Sequence, residues 1–158
     1  MPQGMTKPTN AVVAHGQPIR TEMEIGANAT AAKMLPRTIV IFDSTDFTVK
    51  EAGAKAGGWL GILDIAPDKK VADAYAVGDE CLIIEGECYA VLRLKASENC
   101  TRGDKLVSAA DGLVAKQAVG AMGAQGRVLG EVLESSNVTV EAAVLVHWNP
   151  SHENAAAS

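Results

Sequence analysis

Aromatic side chains are scarce in this chain: two Phe, two Trp and two Tyr make up 4% of 158 residues. Small-molecule pockets are usually lined by aromatics, so a deep ligand cavity is not expected. No run reaches the roughly 18 consecutive apolar residues that a membrane-spanning helix needs. The N-terminus, Met1 to Thr9, is polar and contains proline, and no apolar targeting core is seen in it. There is no basic stripe either. The 14 Lys and Arg are interspersed among 19 Asp and Glu, for a net charge of −5. Proteins that grip DNA or RNA need clustered cations to displace phosphate counterions, so direct nucleic-acid binding is not expected.

Catalytic patterns are missing as well. The three cysteines, Cys81, Cys88 and Cys100, form no CxxC motif, and an odd number cannot all pair within one chain. Cys81 and Cys88 lie in apolar runs and read as small buried hydrophobes, which suits a reducing cytoplasm during assembly. Cys100, beside Thr101 and Arg102, reads as the most exposed of the three, a loop cysteine before a turn. The histidines His15, His147 and His152 are spread out. His147 and His152 are the closest pair, but Pro150 separates them, so no metal site is expected. No Gly-x-Ser-x-Gly elbow and no Gly-x4-Gly-Lys phosphate loop occur. The glycines at 120, 123, 126 and 130 read as a loop followed by a strand glycine. The carboxylates Asp43, Asp46, Glu85, Glu87 and Asp111 fall in expected turns, where polar residues are the norm. The chain is therefore not read as an enzyme. No catalytic, metal or cofactor residues are assigned to it.

What is present is a succession of short β-strands. Thr38-Ile-Val-Ile-Phe42 and Phe47-Thr-Val-Lys50 flank a turn at Asp43 to Asp46. Trp59 to Leu63 is a further apolar run. Cys81 to Ile84 and Cys88 to Leu94 flank Glu85-Gly86-Glu87 and read as a hairpin. In the second of these, Cys88, Ala90, Leu92 and Leu94 share one face, and Tyr89, Val91, Arg93 and Lys95 the other, the alternation of a half-buried strand. Leu106-Val107 and Leu113 to Ala115 flank Asp111-Gly112, a strong hairpin signal. Gly126 to Leu133 and Val138 to Trp148 close the series. Ala52 to Ala56 and Ala66 to Ala76 are expected to form at most short turns of helix. A weak echo, Gly-Asp then strand, turn and strand, begins at Gly78-Asp79 and again at Gly103-Asp104. The tripeptide Arg102-Gly103-Asp104 is read as part of that strand start rather than as an adhesion signal. The Asn-x-Thr triplets at Asn28, Asn99 and Asn137 are read as inert. The fold class expected is all-β, a small barrel or sandwich.

Residues 1–36 carry four of the six prolines and scattered apolar residues. They read as an extended N-terminal arm that orders on a partner. Residues 37–149 read as the β-rich domain and 150–158 as a polar, alanine-rich tail.

The stretch from Trp59 to Trp148 resembles the small capsid decoration (cement) proteins of tailed phages and archaeal viruses. The likeness is carried by Gly61-Ile-Leu63, Val77-Gly-Asp79, Thr101-Arg-Gly-Asp-Lys-Leu-Val-Ser108 with Asp111-Gly112, Val128-Leu-Gly-Glu-Val-Leu133, and the valine-rich strand to Val146. It covers a little over half the chain. It implies a compact β-tulip-like domain with an N-terminal arm, self-assembled as a homotrimer. It also implies a seat on the outer surface of a virion, where the major capsid protein is the partner and neighbouring capsomers are held together. The alternative reading is a carbohydrate- or receptor-binding β module on a virion surface, which would need several exposed aromatics. A hydrolase using carboxylates or Cys100 is a third.

Overall fold

In the computed structural model the described residues are 5–118 and 126–150. The all-β expectation holds. Thirteen strands form among these residues, with only two single-turn 3-10 segments, at Ala31–Lys33 and Ala110–Gly112. The stretches 52–56 and 66–76 form turns and loops rather than helix.

The chain builds two five-stranded barrels, one after the other. The first uses β2 (Ile19–Ile25), β3 (Ile39–Phe42), β4 (Thr48–Glu51), β5 (Gly61–Leu63) and β6 (Glu80–Glu85), closed in the order β2-β4-β3-β5-β6. The second uses β7 (Cys88–Leu94), β9 (Lys105–Ser108), β10 (Val114–Lys116), β11 (Gly130–Val132) and β13 (Ala142–Trp148). Its pairings also run round a ring, β7-β10-β9-β11-β13 and back to β7. A short N-terminal strand, β1 (Val13–His15), adds to β7, and β8 (Asn99–Cys100) pairs with β12 (Ser136–Asn137).

The two rings have the same topology. In each, the first strand lies parallel to the third and antiparallel to the fifth, and every other contact is antiparallel. Individual hydrogen bonds repeat. Arg37 N–H donates to the Leu63 carbonyl at 2.9 Å and Leu63 N–H to Thr38. In the second ring Gly103 N–H donates to Val132 at 2.8 Å and Val132 N–H to Asp104. Gly26 N–H to Val49 is matched by Lys95 N–H to Val114, and Asp64 N–H to Leu82 by Leu133 N–H to Leu145. The interiors match position for position as well. Met23, Ile25, Met34, Val40, Val49, Leu63, Cys81 and Ile83 fill the first. Leu92, Leu94, Cys100, Leu106, Val114, Val132, Val144 and Val146 take their places in the second. The true internal repeat therefore spans a whole barrel. The Gly-Asp echo is turn chemistry, because Gly78-Asp79 precedes the last strand of one ring and Gly103-Asp104 the second strand of the other.

Two further expectations are corrected. Glu85-Gly86-Glu87 does not turn a hairpin: β6 and β7 belong to different barrels, and Gly86 (φ +79°) marks the crossing. The boundary at residue 36 also does not match the strands. Ile19–Ile25 pairs with β6 along six residues and with β4 through Glu24 and Ile25. Met23 and Ile25 are buried while Arg20, Glu22 and Glu24 are exposed, which is strand alternation. The outward charges and Pro18 made the segment look polar on average. Lys7, Pro8, Asn10 and Ala11, before β1, are tied down as well. The buried Arg37 guanidinium donates to the carbonyls of Pro8 (3.1 Å) and Ala11 (2.8 Å), Val71 N–H donates to Asn10, and Lys7 pairs with Glu134 at 2.7 Å. The expected tail beyond residue 150 and the loop glycines 120 and 123 lie outside the described residues.

The barrels join head to tail. Ile39, Ile62 and Ile84 form a cross-strand row on the outer wall of the first barrel. All three are buried in the same cluster as the second barrel's interior, together with Cys88, Ala90 and Trp148 at its mouth. The equivalent row on the second barrel is Lys105, Glu131 and His147, again neighbours across β9, β11 and β13. Burying this row in another mouth would desolvate the Lys105 and Glu131 charges, a cost the isoleucine row does not carry.

Candidate functional site

Among the described residues, head-to-tail stacking leaves the mouth of the first barrel uncovered. Its floor and rim come from the positions that barrel two buries. Ile19, Thr21 and Glu85 stand where the second barrel has Cys88, Ala90 and Trp148, a match that follows from the paired registers of β2 with β6 and β7 with β13. Trp148 is fully buried, whereas Ile19 is 70% exposed. Glu85 accepts hydrogen bonds from the Thr21 hydroxyl and from Trp59 Nε1, the latter at 2.5 Å. Trp59 stacks on Phe42 with ring centroids 4.1 Å apart and planes 6° from parallel. Phe42 is 52% exposed and Phe47, at the tip of the β3–β4 hairpin, is 76% exposed. Thr21, Met23, Phe42, Thr45 and Phe47 line a recess of about 340 Å³ here, with Asp43 and Asp46 at its edge. Glu22, Glu24 and Glu80 continue the acidic rim past Phe47.

The hairpin tip is held by local chemistry. Asp43 accepts from the Asn28 side-chain amide (2.8 Å), the Asn28 N–H (2.9 Å) and the Ser44 N–H (2.7 Å). These donors, the Asn28 amide first, hold its carboxyl below the ordinary carboxylate range. Phe47 takes a left-handed φ of +61°, uncommon for a bulky residue and placed so that its ring stands outside the barrel.

A second surface group lies on the other barrel. Tyr89 stacks on His147 at 4.9 Å, His15 lies 6.0 Å from Tyr89, and His147 Nε2 and Glu87 Oε1 are 2.6 Å apart. His147 and Tyr89 face each other across β13 and β7, with β1 beyond, which explains the cluster. No group of three His, Cys, Asp or Glu among the described residues is placed to hold a metal. His152 lies outside them.

The remaining residues singled out from the sequence are dispersed. Glu85 belongs to the mouth and Glu87 to the histidine cluster. Asp111, with φ +61°, and Gly112, with φ +69°, make the tight β9–β10 turn, and Asp111 pairs with Lys33 at 3.3 Å. Asp104 accepts from Thr101 N–H and pairs with Lys116, which lowers its pKa; the Arg102-Gly103-Asp104 tripeptide is thus a strand start. Asn99 and Asn137 pair with each other across β8 and β12. Cys100 is not exposed. It is 1% accessible, inside the second barrel at the place of Met34, and burial raises its thiol pKa. Burial likewise pushes Cys81 and Cys88 up to about 12. The exposure of Phe42 and Phe47 was not legible beforehand, because both sit in apolar runs. The signal missed was their place at the two ends of one turn.

No protein-family model matches the chain, and no curated protein matches it. Among solved structures it is similar to the head fiber gp8.5 N base of bacteriophage phi29. The TM-score is 0.50 at 13% sequence identity, over 87% of this chain and 99% of that one. At this identity the likeness is one of fold.

Proposed function

We propose that the chain is a structural protein of a tailed-virus virion, a decoration protein that sits on the outer capsid surface and steadies contacts between major capsid protein subunits. The observation that carries the reading is the likeness to the phi29 head fiber base, which extends over 99% of that chain and so concerns a whole module, not a shared motif. The proposed activity is binding alone, with no turnover, and the proposed assembly is a homotrimer. Many copies on one lattice would multiply a modest site affinity through avidity.

The test uses capsids of the encoding virus assembled without this chain. The purified protein is titrated onto them and the bound fraction is measured by sedimentation and by cryo-microscopy. Saturation at a fixed ratio to the major capsid protein, with density on the outer face, is expected. No binding, or binding only to tail or interior components, overturns the reading. Light scattering of the free protein should give three times the monomer mass.

A further inference from the structure

The second barrel is completed by two pieces of the chain that lie outside its ring, and among the described residues the first barrel has neither. The wall row Ile39, Ile62 and Ile84 covers the second mouth. The N-terminal strand fills the strand edge beside it: Val13 and His15 pair with Ala90 and Tyr89, and Val91 N–H donates to the Val12 carbonyl at 2.8 Å. Val12, at 1% exposure, enters the shared core.

The equivalent edge in the first barrel is β2. On the β4 side β2 pairs only through Glu24 and Ile25. Glu24 N–H donates to Phe47 and Gly26 N–H to Val49 on that side. Strand alternation therefore aims the N–H and C=O groups of Arg20 and Glu22 the same way, past the end of the β4 pairing. Glu22 occupies the place of Val91. No strand of this chain pairs there among the described residues. Beside this edge lie the recess, the exposed rings of Phe42 and Phe47, and Asp43, Asp46, Glu22, Glu24 and Glu80.

We infer that the free β2 edge, Ile19 to Met23, with the mouth beside it, accepts an extended segment of a different protein as an added strand. That segment carries an apolar or aromatic side chain for the recess and Lys or Arg beside it. The internal repeat supplies the geometry, since the same edge on the other barrel already holds an extended strand with an apolar residue turned inward. Charge selects the partner: Asp43 and Asp46 line the recess and Glu22, Glu24 and Glu80 line the adjoining surface past Phe47, a cation can also stack on Phe42 or Phe47, and like charge disfavours an insertion from a second copy of this chain, whose net charge is −5. Among the described residues, the wall that matches the plug of the second barrel is the row Lys105, Glu131 and His147, whose Lys and Glu charges do not suit an apolar plug. The inference does not depend on which part of a virion, if any, holds the protein.

The probe is a capped heptapeptide, Lys-Val-Lys-Phe-Lys-Val-Lys, titrated into the full ¹⁵N-labelled chain. The controls are the same peptide with Glu in place of Lys and a version N-methylated at alternate amides. Saturable shifts are expected at residues 19–23 and 42–47. Affinity should fall by about tenfold or more for the Glu peptide and on N-methylation, as expected for a charge-steered strand addition. Phe47→Ala and Glu22→Lys change exposed side chains, so both should fold normally and both should weaken binding. Absence of saturable shifts, shifts that map elsewhere, or equal binding of the Lys and Glu peptides overturns the inference. So does self-association of the free protein that Glu22→Lys or Phe47→Ala abolishes, since a second copy would then be the occupant.

Discussion

Gly61 and Gly130 begin equivalent strands, β5 and β11, and neither has room for a side chain. A Cβ on Gly61 would strike Ile83 and the Trp59 ring; one on Gly130 would strike the His147 backbone, and Gly130 also holds φ at +150°. Ile83 can shift and the main chain of β13 cannot. Gly130→Ala should therefore cost more than Gly61→Ala, about 2 to 3 kcal/mol against about 1, from backbone strain plus a backbone clash. Urea titration followed by tryptophan fluorescence would measure both. The thiols give a pH prediction. Cys81 and Cys88 have folded pKa values raised by burial to about 12 from 9.0. The unfolded chain thus releases these protons first as pH rises. Their stabilisation is complete below pH 9, shrinks as the unfolded thiols ionise, and is lost once pH passes the folded value. Melting temperature should fall from pH 9 towards 11. The fall should be shallower in Cys81→Ala or Cys88→Ala than in the parent, whatever the baseline stability. A thiol reagent at pH 8 should label none of the three cysteines of the folded chain until urea unfolds it.

At the scale of elements, the N-terminal segment 1–36 decides more than its composition suggests. Removing residues 1–36 deletes β2, which pairs with both β4 and β6 and closes the first barrel. Such a truncation is expected to unfold the protein, seen as loss of β circular dichroism and of the thermal transition. Removing residues 1–11 leaves every strand but takes away the carbonyls that Arg37 holds, those of Pro8 and Ala11. Arg37 is 7% exposed, desolvation lowers its pKa, and an unpartnered buried guanidinium costs about 1 to 3 kcal/mol. The shorter protein should stay folded, with a lower urea midpoint and faster hydrogen exchange at the Val91 amide. Arg37 also stands at φ +77°, where its counterpart Gly103 has φ +95°. The first barrel keeps a side chain there at some backbone strain, and the guanidinium clamps the N-terminal segment.

At the scale of the whole molecule, three isoleucines are part of the joint between the barrels, with the hydrogen bonds of Lys55 N–H to Ser108, Gly112 N–H to Ala52 and Arg127 N–H to Ala56 beside them. Ile62→Glu places in the first barrel the residue that the second carries at that position, Glu131. Ile62 is fully buried, so the carboxylate would enter the apolar cluster shared with Cys88, Ala90 and Trp148 without a partner. An expected loss of at least about 3 kcal/mol, or separate unfolding of the two barrels, would appear by calorimetry as a lowered or split transition. If the midpoint stays within a degree of the parent, the head-to-tail joint is not what stabilises the pair.

Much of this was written in the sequence. Period-2 runs such as Cys88 to Leu94 and the Asp111-Gly112 turn fix strands and a hairpin, because alternation and left-handed turn residues are local properties of the chain. The all-β class follows from those signals, and so does the structural role of the Asp-Gly steps. The doubling of the barrel did not, because equivalent core positions hold different apolar residues, Met34 opposite Cys100 and Cys81 opposite Val144, and a core tests volume and hydrophobicity rather than identity. The candidate site was hidden for a related reason. Phe42, Phe47 and Trp59 sit in runs as apolar as the core strands. Only the closing of one barrel mouth by the other barrel's wall decides that the second mouth is buried and that the first, among the described residues, is not.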